Sequence, residues 1–179
     1  MLIFEIAIKD VSASMLQRFA GQAQKLAKVA GEVDILISGN KRLQELNRRF
    51  RRKNKPTDVL SFPRPAGGDI AISANIARQN AALYDHSLAD ELKVLILHGM
   101  LHLAGHDHES DNGQMARVEA RLRTQLKLPA SLIDRTDRAH RSVTQKATRT
   151  KTRVSTSRVK RTRKSARPKA KVASRRSPQ

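Results

Sequence analysis

The chain has 179 residues, no cysteine, and 36 Lys and Arg residues against 16 Asp and Glu, which gives a formal net charge of +20. The lack of cysteine excludes thiolate zinc fingers and iron–sulfur clusters. The sequence has no apolar run of about 18 residues, and residues 1–10 contain neither a basic region nor a small-residue cleavage site. We therefore expect a cytoplasmic protein that does not enter a membrane.

Strand-like and helix-like segments occupy roughly the first 130 residues. Apolar residues at every second position predict strands, whereas apolar residues three and four apart predict helices. The predicted strands cover residues 2–8, 33–38, 58–62 and 68–73. Residues that can cap a helix N-terminus place the helix starts at Asp10 or Ser12, Asn40, Ser73, Ser87, and Ser110 or Asp111. Gly31 is predicted to end the first helix, and Leu43, Leu46 and Phe50 to form the apolar stripe of the second.

A run of positive charge follows the second predicted helix. Six of the eight residues from 48 to 55 are basic, namely Arg48, Arg49, Arg51, Arg52, Lys53 and Lys55. A solvated surface loop would explain such a run. A phosphate clamp would explain it equally well, because guanidinium groups bind phosphate through two parallel hydrogen bonds. The residues alone leave both interpretations open.

The helix predicted to start after Ser87 is apolar on most of its sides, which is typical of the buried centre of a small domain. Asp90, three residues after Ser87, resembles the second position of a capping box. Polar imidazoles near the end of such a helix are costly to bury without a partner. A bound metal would provide that partner.

Four of the six histidines follow one another at the end of this helix, in the pattern H-x-x-x-H-x-x-G-x-x-H. His98 and His102 lie one turn apart, so that both can face a single point. Gly105 tolerates the positive φ that ends a helix, and the chain can then turn back to bring His108 to the same point. His106 would compete as third ligand if the helix continued. Because Gly105 disfavours continuation, we predict that His106 lies beside the metal or faces the substrate.

Three neutral imidazoles are typical of catalytic Zn²⁺, which keeps a fourth position for water. The pattern therefore predicts a hydrolytic centre with one zinc ion per chain. The simpler alternative is that each histidine is an ordinary hydrogen-bonded core residue, since a pair of histidines four apart is common by chance.

Residues 138–179 differ in composition from the rest of the chain. They contain 16 of the 36 Lys and Arg residues and no Asp or Glu, so the remaining 20 basic residues are nearly balanced by 16 acidic ones. With almost no large apolar residues, this segment cannot offset its conformational entropy by burial. We predict a domain over 1–137 and a disordered basic tail over 138–179. Such a tail binds polyanions by counterion release, with nucleic acid as the expected partner, or serves as a solubilising extension.

Three segments together resemble the YbeY family of bacterial endoribonucleases, also called rRNA maturation factors. They are the histidine run, the segment Lys55-Pro-Thr-Asp-Val-Leu-Ser-Phe-Pro63, and the segment Gly68-Asp-Ile-Ala-Ile72. The resemblance covers roughly residues 1–130, and the basic tail lies outside it. It implies a compact α+β domain in which a small mixed sheet is packed with helices.

The resemblance also implies roles for individual residues. His98, His102 and His108 match the zinc ligands of the family, and Arg51 matches an active-site arginine that would hold a substrate phosphate. The neighbouring basic residues, Arg48, Arg49, Arg52, Lys53 and Lys55, become candidates for RNA contacts. His106 stands where many members have an aromatic residue such as tyrosine. The implied activity is metal-dependent, single-strand-specific cleavage of RNA in rRNA processing, at the 16S 3′ end, and in ribosome quality control, with the small ribosomal subunit as partner.

Two other functions are compatible with parts of the sequence. The histidine spacing matches that of metzincin proteases, but those enzymes have a glutamate as general base directly after the first histidine. Here that position is Gly99. The other alternative is a non-catalytic RNA-binding factor for ribosome assembly with a structural zinc. With only five aromatic residues, no stacking platform for single-stranded RNA is evident from the sequence.

Overall fold

A computed structural model of the protein describes residues 1–108 and 111–129. Within them the chain forms four strands and five helices, as the sequence predicts. The strands are β1 (Leu2–Phe4), β2 (Glu32–Ser38), β3 (Val59–Pro63) and β4 (Gly67–Ser73). The helices are α1 (Ala13–Ala27), α2 (Asn40–Arg51), α3 (Ala74–Leu83), α4 (Leu88–Leu103) and α5 (Gln114–Gln125). The predicted domain boundary at 137 and the predicted tail lie outside the described residues.

The four strands form one mixed sheet in the order β1-β2-β4-β3. β1, β2 and β4 are parallel, and β3 pairs with β4 in the antiparallel direction. The large core contains side chains from β2 and β4 together with those of α1, α4 and α5. A smaller cluster of Leu43, Leu60 and Ala71 packs α2 against β3 and β4. The fold is therefore α+β with a mixed sheet packed with helices, as the family resemblance implies.

Helix α4 is the central helix of the domain. Ten of its sixteen residues are buried, and it contacts α1, α3, α5, β3 and β4. Its N-terminus is capped by Ser87, whose hydroxyl accepts a hydrogen bond from the Asp90 amide at 3.0 Å. The Ser87 hydroxyl also donates to the Asp90 carboxylate at 2.8 Å, so the carboxylate binds the hydroxyl rather than the backbone amide of a regular capping box. Both the burial and the capping residue agree with the sequence prediction.

A buried hydrogen-bonded cluster connects the first turn of α4 to the preceding segment. Glu91 is 0% exposed, and its carboxylate lies 2.7 Å from Nε2 of His86 and accepts from the Asn80 amide at 3.1 Å. Nδ1 of His86 lies 3.3 Å from the carbonyl of Tyr84. The buried Glu91 carboxylate of α4 thus has hydrogen-bond partners in α3 and in the loop between α3 and α4.

Two elements near the N-terminus are shorter than predicted. β1 ends at Phe4 rather than residue 8 because its partner β2 stops at Ser38, so the later residues have no strand to pair with. α1 begins after Ser12, the second of the two predicted caps, and ends at Ala27 rather than Gly31. Lys28 follows with φ of 59°, and its amide binds carbonyls of the last turn, so the helix is closed without glycine.

The arginine-rich run is partly helical and so does not lie wholly between the second helix and the next strand. α2 continues to Arg51, and Arg52 ends it in the left-handed conformation. Arg48, Arg49 and Arg51 occupy the last turn, where positive charge interacts favourably with the helix dipole. Three of the six basic residues in the run therefore also stabilise the helix.

The predicted apolar stripe of α2 is wrong at Phe50. Leu43 is buried, but Phe50 is 56% exposed, and Asn47 occupies the inward position instead. The Asn47 amide donates to the Lys55 carbonyl at 2.8 Å, which makes a polar side chain favourable there. Phe50 packs edge-on against Phe62, with ring centroids 5.0 Å apart.

The last helix begins slightly later than predicted. α5 starts at Gln114, after Gly113. Of the two predicted capping residues, Ser110 lies outside the described residues. Asp111 stabilises the start, since its carboxylate accepts from the amides of Gly113 and Met115 at 3.0 and 2.7 Å. Within the described ranges, none of the helices has both the length and the apolar character needed to cross a membrane.

Candidate active site

The turn that follows α4 brings the last histidine to the first two. Gly105 has φ of 88°, and its amide binds the His102 carbonyl at 3.0 Å while the next amide, of His106, binds the Leu101 carbonyl at 3.0 Å. These two bonds form a Schellman motif, which glycine favours because it tolerates the left-handed conformation. The chain reverses here, as the H-x-x-x-H-x-x-G-x-x-H pattern predicts.

Three imidazoles meet beside this turn. His98, His102 and His108 each offer a ring nitrogen, and these nitrogens lie within 4.8 Å of one another. The Nε2 atoms of His98 and His102 are 3.1 Å apart. A tetrahedral site with metal–nitrogen bonds of about 2.0–2.1 Å separates its ligand nitrogens by about 3.3–3.4 Å. The three histidines could therefore hold a metal ion, and the side chain of His106 is not part of the group.

His102 is held in the neutral form that a metal requires. Burial lowers its pKa from 6.5 to about 4, and the adjacent rings of His98 and His108 act in the same direction. A hydrogen bond to the backbone of His106 opposes them in part. A metal ion binds only the unprotonated imidazole, so His102 is available at neutral pH without first losing a proton. The contact also places His106 next to the group through its backbone.

A buried carboxylate lies behind His98. Glu119 of α5 is 1% exposed, and its Oε1 lies 3.6 Å from Nδ1 of His98, which is itself 3% exposed. Glu119 is not among the site residues predicted from the sequence. A signal was present, however, since Glu119 stands between Met115 and Leu122 on the buried face of α5, where a charged residue is unexpected.

The histidines form one side of a cleft of about 270 Å³. Arg51, Lys53 and Lys55 line it from the end of α2 and the following loop, and residues 57–61 line it from the end of that loop and the start of β3. The three histidines and Arg51, the arginine predicted for the active site, therefore line one cavity. Its basic side is suited to a phosphate and its histidine side to a metal ion.

The loop between α2 and β3 is fixed by side chains that the sequence analysis did not select. The Asn47 side chain donates to the Lys55 carbonyl, and the backbone carbonyl of the same residue accepts from the Lys53 amide at 3.3 Å. The carboxylate of Asp58 accepts from the Val59 amide at 2.8 Å and the Thr57 hydroxyl at 3.1 Å. These bonds hold the backbone that carries the two cleft lysines. Asp58 lies within one of the segments on which the family resemblance rests, which was the available signal, whereas Asn47 lies outside all three.

The other basic candidates occupy different positions. Among the described residues, Arg48, Arg49 and Arg52 are not part of the cleft lining. The guanidinium of Arg49 lies over the Phe50 ring, 5.3 Å from its centroid. Of the six basic residues in the run, the structure thus brings three, Arg51, Lys53 and Lys55, to the histidines.

Gly99 faces the sheet and not the cleft. A Cβ atom at this position would lie 2.9 Å from both Cγ2 and Cδ1 of Ile70, which is itself buried. Glycine therefore permits close packing of α4 on β4, and the carbonyl of Gly99 accepts from the Ser61 hydroxyl at 3.3 Å. A glutamate at position 99 would point into the core. The position that holds the general base in metzincins therefore could not place a base in this cleft.

Gly99→Glu is expected to destabilise the protein by about 3 kcal/mol or more, because it overpacks Ile70 and buries an unpaired carboxylate. It is expected to confer no peptidase activity. Thermal unfolding and a casein assay measure both effects. Gly21→Ala is the matched control, since Gly21 lies in α1 with no atom within 4 Å of an added Cβ. That change should be neutral or stabilising. Normal stability with casein hydrolysis in Gly99→Glu would contradict this assignment.

Comparisons with known proteins agree with the resemblance seen in the sequence. The family model for endoribonuclease YbeY matches residues 4–127. A protein of Koribacter versatilis named "Endoribonuclease YbeY" is 52% identical over 139 residues, covering 76% of this chain and 91% of the relative. One of Solibacter usitatus with the same name is 48% identical over 122 residues, covering 67% and 83%. A solution structure from Thermotoga maritima has a TM-score of 0.48 and 28% identity, covering 68% of this chain and 85% of that one.

The family match spans strands β2 to β4, the three histidines and the arginine-rich run, and the Koribacter relative is covered over nearly its whole length. The chain belongs to the endoribonuclease YbeY family.

Proposed function

We propose that this protein is a zinc-dependent endoribonuclease that cleaves single-stranded RNA during rRNA processing in the cytoplasm. The observation that carries the proposal is the shared cleft, which is lined by His98, His102 and His108 together with Arg51. The names of the relatives give the reaction class. Action at the 16S rRNA 3′ end and in ribosome quality control, with the small ribosomal subunit as partner, is the part of the proposal that rests on family resemblance.

Zn²⁺ suits this donor set better than Mg²⁺ or Ca²⁺, because all three ligands are imidazole nitrogens rather than oxygens. In such a site the ion supplies Lewis acidity at a phosphoryl oxygen. The protein supplies position and charge. The Arg51 guanidinium can hold the phosphate through two hydrogen bonds, and Lys53 and Lys55 attract the flanking RNA backbone.

The tail enters the proposal as an affinity element. Its 16 positive charges would bind RNA without sequence preference and strengthen binding most at low salt. The cleft would then provide the chemistry, and the tail would raise the local concentration of substrate.

Chelation is expected to abolish RNA cleavage, and added Zn²⁺ is expected to restore it. The test uses the full chain, a structured RNA with single-stranded segments, and casein in parallel. Metal analysis of the chelated sample establishes that the ion has been removed. Cleavage by a sample verified as metal-free would contradict a metal-dependent nuclease. RNA binding without cleavage at any metal concentration would favour the non-catalytic assembly factor, and casein hydrolysis would favour a protease.

A further inference from the structure

We propose that Glu119 is a positioning residue for the metal centre. Its buried carboxylate accepts the Nδ1 proton of His98 and so leaves Nε2 of His98 free to bind the ion. This inference rests on the proposed metal site, and it adds a residue from α5 to a site otherwise built from α2, β3, α4 and the turn after α4.

The first support is the burial of Glu119 without a partner. Its side chain is 1% exposed, and neither carboxylate oxygen has a hydrogen-bond partner among the described residues. Nδ1 of His98 is likewise buried and without one. A lone buried carboxylate is strongly unfavourable, as is an unsatisfied imidazole nitrogen. The two groups lie 3.6 Å apart, so each is within reach of the partner that the other lacks.

The second support is the orientation of the His98 ring. Its Nδ1 points toward Glu119, while its Nε2 lies 3.1 Å from Nε2 of His102. If His98 carries its proton on Nδ1, beside Glu119, and His102 likewise carries its own on Nδ1, both Nε2 lone pairs face one point. Two lone pairs at that distance repel each other unless a cation lies between them, so the tautomer that Glu119 favours is the one that a metal needs.

The distance of 3.6 Å between Nδ1 of His98 and Oε1 of Glu119 exceeds a typical N–H···O hydrogen-bond length by about 0.7 Å. A small rotation of either side chain would close it. Carboxylates that bind the outer nitrogen of a metal-ligating histidine fix both the tautomer and the ring orientation, and they increase the basicity of the ligand. The same arrangement here would link α5 to the metal through His98.

Glu91 offers an internal comparison. It is as deeply buried as Glu119, but its partner His86 lies 2.7 Å away and belongs to no metal group among the described residues. A carboxylate with a purely structural role would behave like Glu91, and its loss would lower stability without changing the affinity for metal. A positioning carboxylate would change the affinity itself.

The experiment measures Zn²⁺ dissociation constants by competition with a chromogenic chelator, on full-length wild type, Glu119→Ala, Glu119→Gln, Glu91→Gln and His102→Ala. We expect Glu119→Ala to weaken binding roughly 10–100-fold. Glu119→Gln should lose less, because its amide oxygen can still accept the proton. Glu91→Gln should lower Tm and leave the affinity at the wild-type value. His102→Ala should abolish tight binding.

A second measurement does not depend on the variants folding. Long-range ¹⁵N–¹H spectra of the zinc-loaded wild type report which ring nitrogen of His98 carries the proton. A proton on Nδ1 supports the inference, and a proton on Nε2 overturns it. Folded Glu119 variants with wild-type affinity would also overturn it, as would a loss of affinity that Glu91→Gln reproduces. Absence of Zn²⁺ binding by the wild type would instead refute the proposed metal site.

Discussion

Replacing Arg51 with alanine is expected to slow RNA cleavage by roughly 10²–10³-fold while leaving the affinity for Zn²⁺ unchanged. A loss of this size is typical when one preorganised donor to the charge of a transition state is removed. Arg51 has no part in the histidine group, so the metal site should be intact in the variant. Single-turnover cleavage rates and a chelator competition on the same samples separate the two effects.

Position explains why Arg51 should matter more than its neighbours. It is the last residue of α2, and Arg52 ends the helix immediately after it. The side chain therefore lines the cleft that contains the three histidines. Arg51→Lys keeps the charge but loses the planar fork that binds phosphate through two hydrogen bonds, and we expect it to recover only part of the rate.

Arg42→Ala is the matched control for this experiment. Arg42 lies near the start of the same helix and is paired with Glu45 at 3.2 Å. Its replacement by alanine removes one positive charge, as Arg51→Ala does. We expect rates near the wild-type value. An equal loss in both variants would mean that general electrostatic attraction is involved rather than a positioned phosphate ligand.

The local part of the site could be predicted from the sequence. The spacing of His98 and His102 and the turn at Gly105 depend on helix geometry and on the freedom of glycine, which involve only neighbouring residues. The same is true of the Ser73 and Ser87 caps, and the structure has both. These features were predictable because no distant contact competes with them.

The parts that the sequence could not supply depend on contacts between distant segments. Glu119 reaches His98 because α5 packs against α4, and nothing in the spacing of the two residues encodes that contact. The inward position of Asn47, in place of Phe50, follows from its bond to the Lys55 carbonyl in the next loop. Charge alone did not show which basic residues reach the cleft, because the end of α2 within the run decides it.

His108→Ala is expected to cost more Zn²⁺ affinity than loss of an outer-shell partner, which is typically about 10–100-fold. His106→Ala is expected to change the affinity by no more than a few-fold. The two residues are separated by one position, yet only the His108 ring belongs to the histidine group, with centroids 5.4 and 5.5 Å from those of His98 and His102. The same chelator competition measures both variants, and RNA cleavage should follow metal occupancy.

The reason for this contrast is the turn at Gly105. A continued helix would place His106 on the face of His98 and His102, one turn further on, and His106 would then be the third ligand. The two Schellman hydrogen bonds, donated by the amides of Gly105 and His106, end the helix. The chain then turns back toward His98 and His102. The contact of His106 with His102 is made by its backbone, which alanine retains, so the side chain is dispensable for the metal. Loss of Zn²⁺ binding in His106→Ala, with normal binding in His108→Ala, would mean that the metal-loaded chain does not make this turn.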